Sequence, residues 1–138
     1  MRVIDATNLV LGRLATSVAK QALLGEEIAV VNCEKAVITG TKSRIIATYK
    51  PRRDRGYALK GPFFPRMPDR IVRRTIRGML PYKQYRGRKA YKNVMCYVGI
   101  PKELKDEKLE TIEGASSEKL TCKVMKIEDL SRLLGAKI

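Results

Sequence analysis

RVIDATNLVLGRLATSVAKQALLGEEIAVV, residues 2–31, is the stretch that decides the fold class. A short apolar run ends at Asp5, and from Leu11 onward the apolar residues recur at helical spacing. Gly25 stands where a helix ends, and the apolar run 28–31 is typical of a strand covered on both faces. The stretch therefore predicts a β-α-β unit, which makes a right-handed crossover in a parallel sheet.

Shorter elements are predicted on the C-terminal side of this unit. Residues 102–118 alternate in charge sign and indicate a solvated helix or loop. No repeat or linker divides the chain, so we expect one α/β domain over residues 1–138. The other expected elements are a helix from an N-cap in the Thr39-Gly40-Thr41 turn to about Pro51, a helix from Arg70 toward Pro81, strands at 94–98 and 120–124, and a closing helix before Gly135.

The positive charge is concentrated in the middle of the chain. Of 29 Lys and Arg residues, 17 lie between Lys42 and Lys92, where only Asp54 and Asp69 are acidic. This basic segment, residues 42–92, holds the whole formal net charge of +15, because the two signs cancel in the flanks. A charge excess of this kind usually indicates a polyanionic partner. We therefore predict that residues 42–92 bind nucleic acid.

The residue types that are missing exclude several classes of function. The chain has no histidine, which removes the usual zinc sites and the commonest general base. Its three cysteines, Cys33, Cys96 and Cys122, form no CxxC pair and are expected to be small core residues in a reducing compartment. No apolar run is long enough to span a membrane, and the N-terminus does not resemble a signal peptide. We expect a cytoplasmic protein with no cofactor, no membrane partner and no small-molecule substrate.

A long loop between Pro51 and Pro68 is the first of three candidate RNA-binding elements. It is rich in proline and lacks the periodicity of a regular element, and a compact domain seldom carries such a loop without a use for it. We expect it to run along folded RNA, with phosphates and bases as its partners. The alternative is a surface loop whose phenylalanines face the core. Its candidate residues are Arg52, Arg53, Arg55, Lys60 and Arg66, interleaved with Tyr57, Phe63 and Phe64.

The helix predicted from Arg70 has one apolar side and one side made only of arginine. Ile71, Val72, Ile76, Met79 and Leu80 fill the apolar side, and Arg70, Arg73, Arg74 and Arg77 fall within one arc of roughly 100° on the other. Like charges three or four residues apart repel by a few tenths of a kcal/mol per pair. An anionic partner would offset this repulsion, and arginine suits planar contacts with phosphates and bases. A solvated helix face is the alternative.

The third candidate element is the stretch from Tyr82 to Lys92. Three tyrosines, Tyr82, Tyr85 and Tyr91, are interleaved with its cations and can serve either as packing residues or as stacking platforms. Its candidate RNA-binding residues are Lys83, Arg86, Arg88, Lys89 and Lys92.

No motif for nucleotide binding or catalysis is complete. Residues 8–13 read Asn-Leu-Val-Leu-Gly-Arg, so the G-x-G-x-x-G fingerprint is absent and Gly12 is expected to be a turn or close-packing residue. The run Gly40-Thr41-Lys42-Ser43 lacks the upstream glycine of a phosphate loop. Asp5 is well placed for chemistry at the end of a strand but has no catalytic partner, so a cap or a hydrogen bond to a loop is expected. We predict no catalytic residues and no metal site.

Five segments carry a pattern found together in one family. They are Ile4-Asp5-Ala6, Leu11-Gly12-Arg13-Leu14-Ala15, Val30-Val31-Asn32, Ile38-Thr39-Gly40 and Arg77-Gly78-Met79-Leu80-Pro81. In this order, and as far as about Pro101, they resemble the large-subunit ribosomal protein L-thirteen family. The last segment is the most specific of the five.

The resemblance implies a three-layer α/β/α fold with a mostly parallel four-stranded sheet and a long basic loop extension. It also implies a non-enzymatic constituent of the large ribosomal subunit that binds large-subunit ribosomal RNA beside neighbouring ribosomal proteins. The histidine-bearing insert and tail of bacterial members are missing here. Gly61-Pro62 and residues 68–74 resemble the archaeal and eukaryotic branch instead, and the short C-terminus favours an archaeal chain.

Two other classes of function stay open at this point. An RNA-modifying enzyme would use the β-α-β half as a nucleotide site, and an architectural protein would bind duplex DNA through the same cations. Binding of a nucleotide or methyl donor would favour the first class, and displacement of structured RNA by duplex DNA would favour the second.

Overall fold

A computed structural model describes all 138 residues as an α/β protein with one main sheet and five helices. The strands are β1 (Arg2–Asp5), β2 (Ile28–Val31), β3 (Val37–Thr39), β4 (Val94–Cys96), β5 (Leu109–Glu110) and β6 (Val124–Lys126). The helices are α1 (Leu11–Leu23), α2 (Lys42–Asp54), α3 (Pro68–Met79), α4 (Tyr85–Lys92) and α5 (Ile127–Leu133), with 3-10 turns at Cys33–Lys35, Lys102–Leu104 and Glu113–Ala115.

The main sheet is parallel, with the strand order β4-β2-β1-β5. Strands β1 and β2 pair in register from Arg2 opposite Ile28 to Asp5 opposite Val31, with α1 as their crossover. The predicted β-α-β unit is therefore confirmed. Strands β3 and β6 form a separate antiparallel pair.

Most of the core lies on one face of the sheet. Side chains of alternating strand residues, such as Ile4 and Val30, pack there against the apolar sides of α1, α3 and α4. The opposite face holds a smaller cluster in which Leu104 of a 3-10 turn covers Val3, Ala29 and Val31. The fold is thus three-layered, as the resemblance implies, with a thin third layer.

Helix α2 extends further than the sequence predicts. The sequence predicts its end at about Pro51, but the helix continues to Asp54. A proline lacks only its own N–H, so later amides can still donate, and the Arg55 amide donates to the Pro51 carbonyl at 3.1 Å. The expected position of the N-cap is confirmed at Thr41, but the Thr41 side chain makes no capping hydrogen bond. The irregular loop is therefore residues 55–67.

The C-terminal third needs three corrections. The strand expected at 120–124 is β6, shifted to Val124–Lys126, because its partner β3 sets the register. The segment 102–118 contains β5, whose Glu110 forms an ion pair with Arg2 of β1 at 2.6 Å. Cys122 is exposed in the loop before β6, whereas Cys33 and Cys96 are buried as expected. The closing helix is confirmed as α5.

The end of strand β4 and the exposure of Met79 also differ from the predictions. Strand β4 ends at Cys96 rather than at 98. Beyond it, the Tyr97 and Gly99 carbonyls accept hydrogen bonds from the Cys33 and Asn32 amides, which lie past the end of β2 where the chain forms a 3-10 turn. Met79 is exposed at the end of α3, where its sulfur accepts a hydrogen bond from Thr16 at the surface.

Candidate nucleic-acid interface

Helix α3 carries the arginine face, which consists of Arg70, Arg73, Arg74 and Arg77. The opposite side of the helix buries Ile71, Val72 and Ile76 in the core, so the predicted two-sided helix is confirmed. Pro68 at its start supplies a fixed φ without costing a hydrogen bond, and Asp69 lies in the first turn, where the helix dipole favours an acid.

Two members of the arginine face are held in place by tyrosines. The guanidinium carbon of Arg73 lies 4.5 Å from the Tyr91 ring centre, and that of Arg77 lies 4.8 Å from the Tyr82 ring centre. Cation–π contacts of this kind orient a guanidinium group, and the Nε of Arg73 is buried without a hydrogen-bond partner. Tyr91 also packs against the core, whereas Tyr85 is exposed without such a partner.

The arginine face lines a cleft of about 340 Å³. Pro65 of the loop and Tyr91 of α4 complete its walls, so the cleft joins all three basic elements predicted from sequence. No carboxylate lines it, and none of the four arginines takes part in a salt bridge. The cleft therefore concentrates positive charge without an internal counter-charge, which is the electrostatic pattern of an anion-binding surface.

Loop 55–67 contains a hydrogen-bonded turn at its tip and makes a packing contact with α2. The Tyr57 amide and the Gly61 amide each donate to the other residue's carbonyl, at 3.2 and 2.8 Å, which closes a tight turn at the tip. Near the C-terminal end of the loop the Phe64 ring packs edge-on against the Tyr49 ring, with 5.9 Å between the ring centres. Phe63, by contrast, is exposed, so only one of the two phenylalanines faces inward.

The five cations predicted for the loop, which the structure places in α2 and in loop 55–67, lie in three different settings. Arg52 and Arg55 line a second hollow beside Tyr49, and Lys60 and Arg66 are exposed on the loop surface. Arg53 is different, because its Nε donates to Asp54 at 2.8 Å and its Nη1 to the Leu133 carbonyl at 3.4 Å. Arg53 therefore ties α2 to α5 and lies outside the cleft.

The third basic element forms α4 and the turn before it. Gly87 allows α4 to pack closely on this turn, since a Cβ at that position would lie 2.1 Å from the Pro81 carbonyl oxygen. The cations are exposed on the outer side of the turn and helix and do not line the arginine cleft. They are Lys83, Arg86, Arg88, Lys89 and Lys92.

Three residues beside the loop were not predicted as site residues. Tyr49, Thr75 and Gly78 line the second hollow together with Arg52 and Arg55. Tyr49 follows the buried Ile45 by four residues, and this helical spacing places both on the inner side of α2. The position of Tyr49 could therefore have been predicted from its spacing to Ile45. No pattern in the sequence predicts that Thr75 and Gly78 line the hollow.

The carboxyl end of the sheet holds no set of catalytic groups. Asp5 Oδ1 accepts hydrogen bonds from the Thr7 amide at 3.0 Å, the Thr7 hydroxyl at 2.6 Å and the Asn32 side-chain amide at 3.0 Å. The expected hydrogen bonding of Asp5 to a loop is confirmed. Gly12 has open space around its Cα inside α1, so its expected role in a turn or in close packing is wrong.

The structure also lacks a metal-binding cluster and a membrane-spanning helix. No group of three or more histidine, cysteine, aspartate or glutamate residues is arranged to hold a metal ion. None of the five helices has the length and apolar character needed to cross a membrane.

Comparison with known proteins connects this geometry to one family. The family model described as Ribosomal protein L13 matches residues 1–103. The chain is 50% identical to the large ribosomal subunit protein uL13 of Methanosarcina barkeri, over 99% of both chains. It is 51% identical to the protein of the same name from Methanocaldococcus jannaschii, again over 99% of both. The corresponding protein of Archaeoglobus fulgidus is 50% identical over 96% of this chain and 86% of its own length.

Proposed function

The chain belongs to the ribosomal protein L13 family, and from this membership we infer that it is a structural, non-enzymatic constituent of the large ribosomal subunit. The enzyme alternative has no support, because the sheet end holds no catalytic set and the similar proteins are ribosomal. The partners that follow are large-subunit ribosomal RNA and neighbouring ribosomal proteins. We propose that residues 1–138 act as one unit within cytoplasmic ribosomes.

We further propose that the arginine cleft is the centre of the RNA-binding surface. The observation that carries this proposal is the set of four arginines in one cleft without any salt-bridge partner. The planar guanidinium group of arginine can donate two parallel hydrogen bonds to one phosphate. Neutralising RNA phosphates also releases their condensed counterions, which supplies much of the binding free energy. Loop 55–67 and the outer side of α4 extend the surface on either side of the cleft.

The mechanism is positioning rather than chemistry. The two tyrosine-held arginines offer guanidinium groups in fixed orientations, so less conformational entropy is lost when RNA binds. Arg70 and Arg74 are exposed and adapt to the path of the RNA backbone. The cation–π contacts also join α3 to α4 and to the turn before it, which fixes the spacing of two basic elements.

Replacement of the whole arginine face tests the proposal. A variant with Arg70, Arg73, Arg74 and Arg77 all changed to Gln should bind protein-free large-subunit RNA more weakly. The slope of log K against log salt concentration should fall by about 0.7 to 0.9 for each phosphate that the variant no longer neutralises. The matched control changes four exposed lysines of the charge-balanced flank, Lys105, Lys108, Lys119 and Lys123, to Gln.

Filter binding across a salt series measures both quantities, and circular dichroism checks that each variant is folded. We expect a large loss of affinity for the arginine variant and a small one for the lysine control. Equal effects of the two variants would contradict the proposal. Duplex DNA that competes with the RNA at equal concentration would favour a general nucleic-acid binder instead.

A further inference from the structure

A second hollow, distinct from the arginine cleft, lies between α2, loop 55–67 and α3. Its volume is about 440 Å³, within the range of about 300 to 1,000 Å³ that is usual for small-ligand sites. Its lining combines aromatic rings with arginines and includes no acidic residue.

The aromatic side of this hollow is fixed on the protein. Tyr49 and Phe64 meet edge-on, with an angle of 65° between their ring planes, and both side chains are half-buried. Phe63 is exposed beside them at the mouth of the hollow. Aromatic side chains held in this way provide surfaces on which an unpaired base can stack.

The charged side of the hollow has no counter-charge. Arg52, Arg55 and Arg74 line it, and none of them forms a salt bridge. The Arg52 guanidinium carbon lies 5.4 Å from the Tyr49 ring centre, so the cation and the aromatic wall are adjacent. Arg74 also lines the arginine cleft, which makes it the point where the two cavities meet.

Gly78 is the third independent feature of the hollow. It lies within α3 with φ outside the left-handed region, where glycine is less favourable than alanine. A Cβ added at this position would meet no atom within 4 Å, so close packing does not require glycine there either. The missing side chain leaves open space beside the hollow, as an incoming group would need.

We propose that this hollow binds one unpaired nucleotide of ribosomal RNA. The base stacks against the aromatic side, and its phosphate lies among Arg52, Arg55 and Arg74. The RNA backbone then continues from Arg74 along the arginine cleft. This inference rests on the proposed function and adds to it a site for a splayed-out nucleotide.

Substitutions at Gly78 test the site without removing any charge. Gly78→Leu should fill the open space and weaken binding to protein-free large-subunit RNA by about 5- to 100-fold, the range expected when a base loses its stacking partner. Gly78→Ala adds one methyl group and should change affinity by less than about 3-fold, because the helix tolerates alanine well. Gly12→Leu is the matched control, since Gly12 is also helical, has open space and does not line the hollow.

A titration of the unmodified protein gives a second, independent readout. Adenosine, guanosine, cytidine and uridine 5′-monophosphates are added separately, and inorganic phosphate is added at the same concentrations. At least one nucleotide should shift the NMR amide signals of Thr75 and Gly78 more than phosphate does, because stacking adds to anion binding. Gly78→Leu should abolish the extra shift.

The outcomes separate this proposal from the function on which it rests. If the unmodified chain binds the RNA with a steep salt dependence but Gly78→Leu and Gly12→Leu bind equally well, the nucleotide site is overturned and the proposed function stands. Equal losses in both leucine variants also overturn it. If the nucleotides shift these signals no more than phosphate does, the nucleotide site is overturned, and the hollow binds anions without stacking a base. A chain that fails to bind the RNA at all overturns the proposed function instead.

Discussion

The guanidinium group of Arg73 lies over the ring of Tyr91, with 4.5 Å between the guanidinium carbon and the ring centre. The contact joins α3 to α4 across the arginine cleft, and Arg77 makes a similar contact with Tyr82 at 4.8 Å. Arg74 lines the same cleft without a tyrosine partner. Neighbouring arginines of one surface therefore differ in what they contribute to the folded protein.

We expect Arg73→Gln and Arg74→Gln to have different effects on stability. Both should weaken RNA binding, because each removes one cation from the proposed surface. Only Arg73→Gln should lower the free energy of unfolding, by about 0.5 to 2 kcal/mol, since it alone removes a cation–π contact. Urea unfolding of the RNA-free variants measures the difference. Equal unfolding free energies would show that the stacking contributes nothing to the fold.

Loop 55–67 is joined to α5 by the hydrogen bond of a buried hydroxyl group. Ser131 of α5 is buried, and its hydroxyl donates to the Arg66 carbonyl. Ser131→Ala should leave that carbonyl without its partner and lower the free energy of unfolding by about 1 to 3 kcal/mol. Urea unfolding measures the change.

The control for this change is Ser43→Ala, at an exposed serine in the first turn of α2. Its unfolding free energy should differ from that of the unmodified chain by no more than about 0.5 kcal/mol. If Ser131→Ala were as stable as this control, the link between α5 and the loop would have no energetic role.

A pH dependence of stability is expected from Asp5. Burial acts to raise the pKa of this carboxyl, but hydrogen bonds from Thr7 and Asn32 outweigh burial and hold the pKa below its ordinary value of 3.8. A carboxyl with a lowered folded pKa stabilises the fold above the unfolded pKa, and this stabilisation is lost as the pH falls through the folded value. Stability should therefore fall as the pH drops below about 4.

Asp5→Asn isolates this contribution, because asparagine does not titrate. The unmodified chain should be the more stable of the two at pH 7, and the difference should shrink as the pH falls below about 4. Thermal unfolding at several pH values measures it, with Asp106→Asn, a change at an exposed carboxylate, as control. A difference that stays constant from pH 7 to pH 3 would contradict the assignment.

Local patterns in the sequence predicted the elements that have strong periodicity. The β-α-β unit and the two sides of α3 followed from the spacing of apolar residues, because burying one face of a helix or strand requires that spacing. The predictions failed where a distant partner decides the structure. The register of β6 depends on its pairing with β3. The helical turn after Pro51 is joined to Leu133 by a hydrogen bond from Arg53. The hollow beside Gly78 forms only where α2, loop 55–67 and α3 meet.

The sequence by itself determined the α/β class, the position of the positive charge and, through five short segments, the family. These properties are set by residue type and local spacing, which act before the chain folds. Only the tertiary structure decided that Arg73 and Arg77 make cation–π contacts with tyrosines. It also decided that Arg53 donates a hydrogen bond to the Leu133 carbonyl and that Arg74 lines two cavities. Such relations depend on distances between residues far apart in the chain, and those distances arise only when the core packs the helices against the sheet.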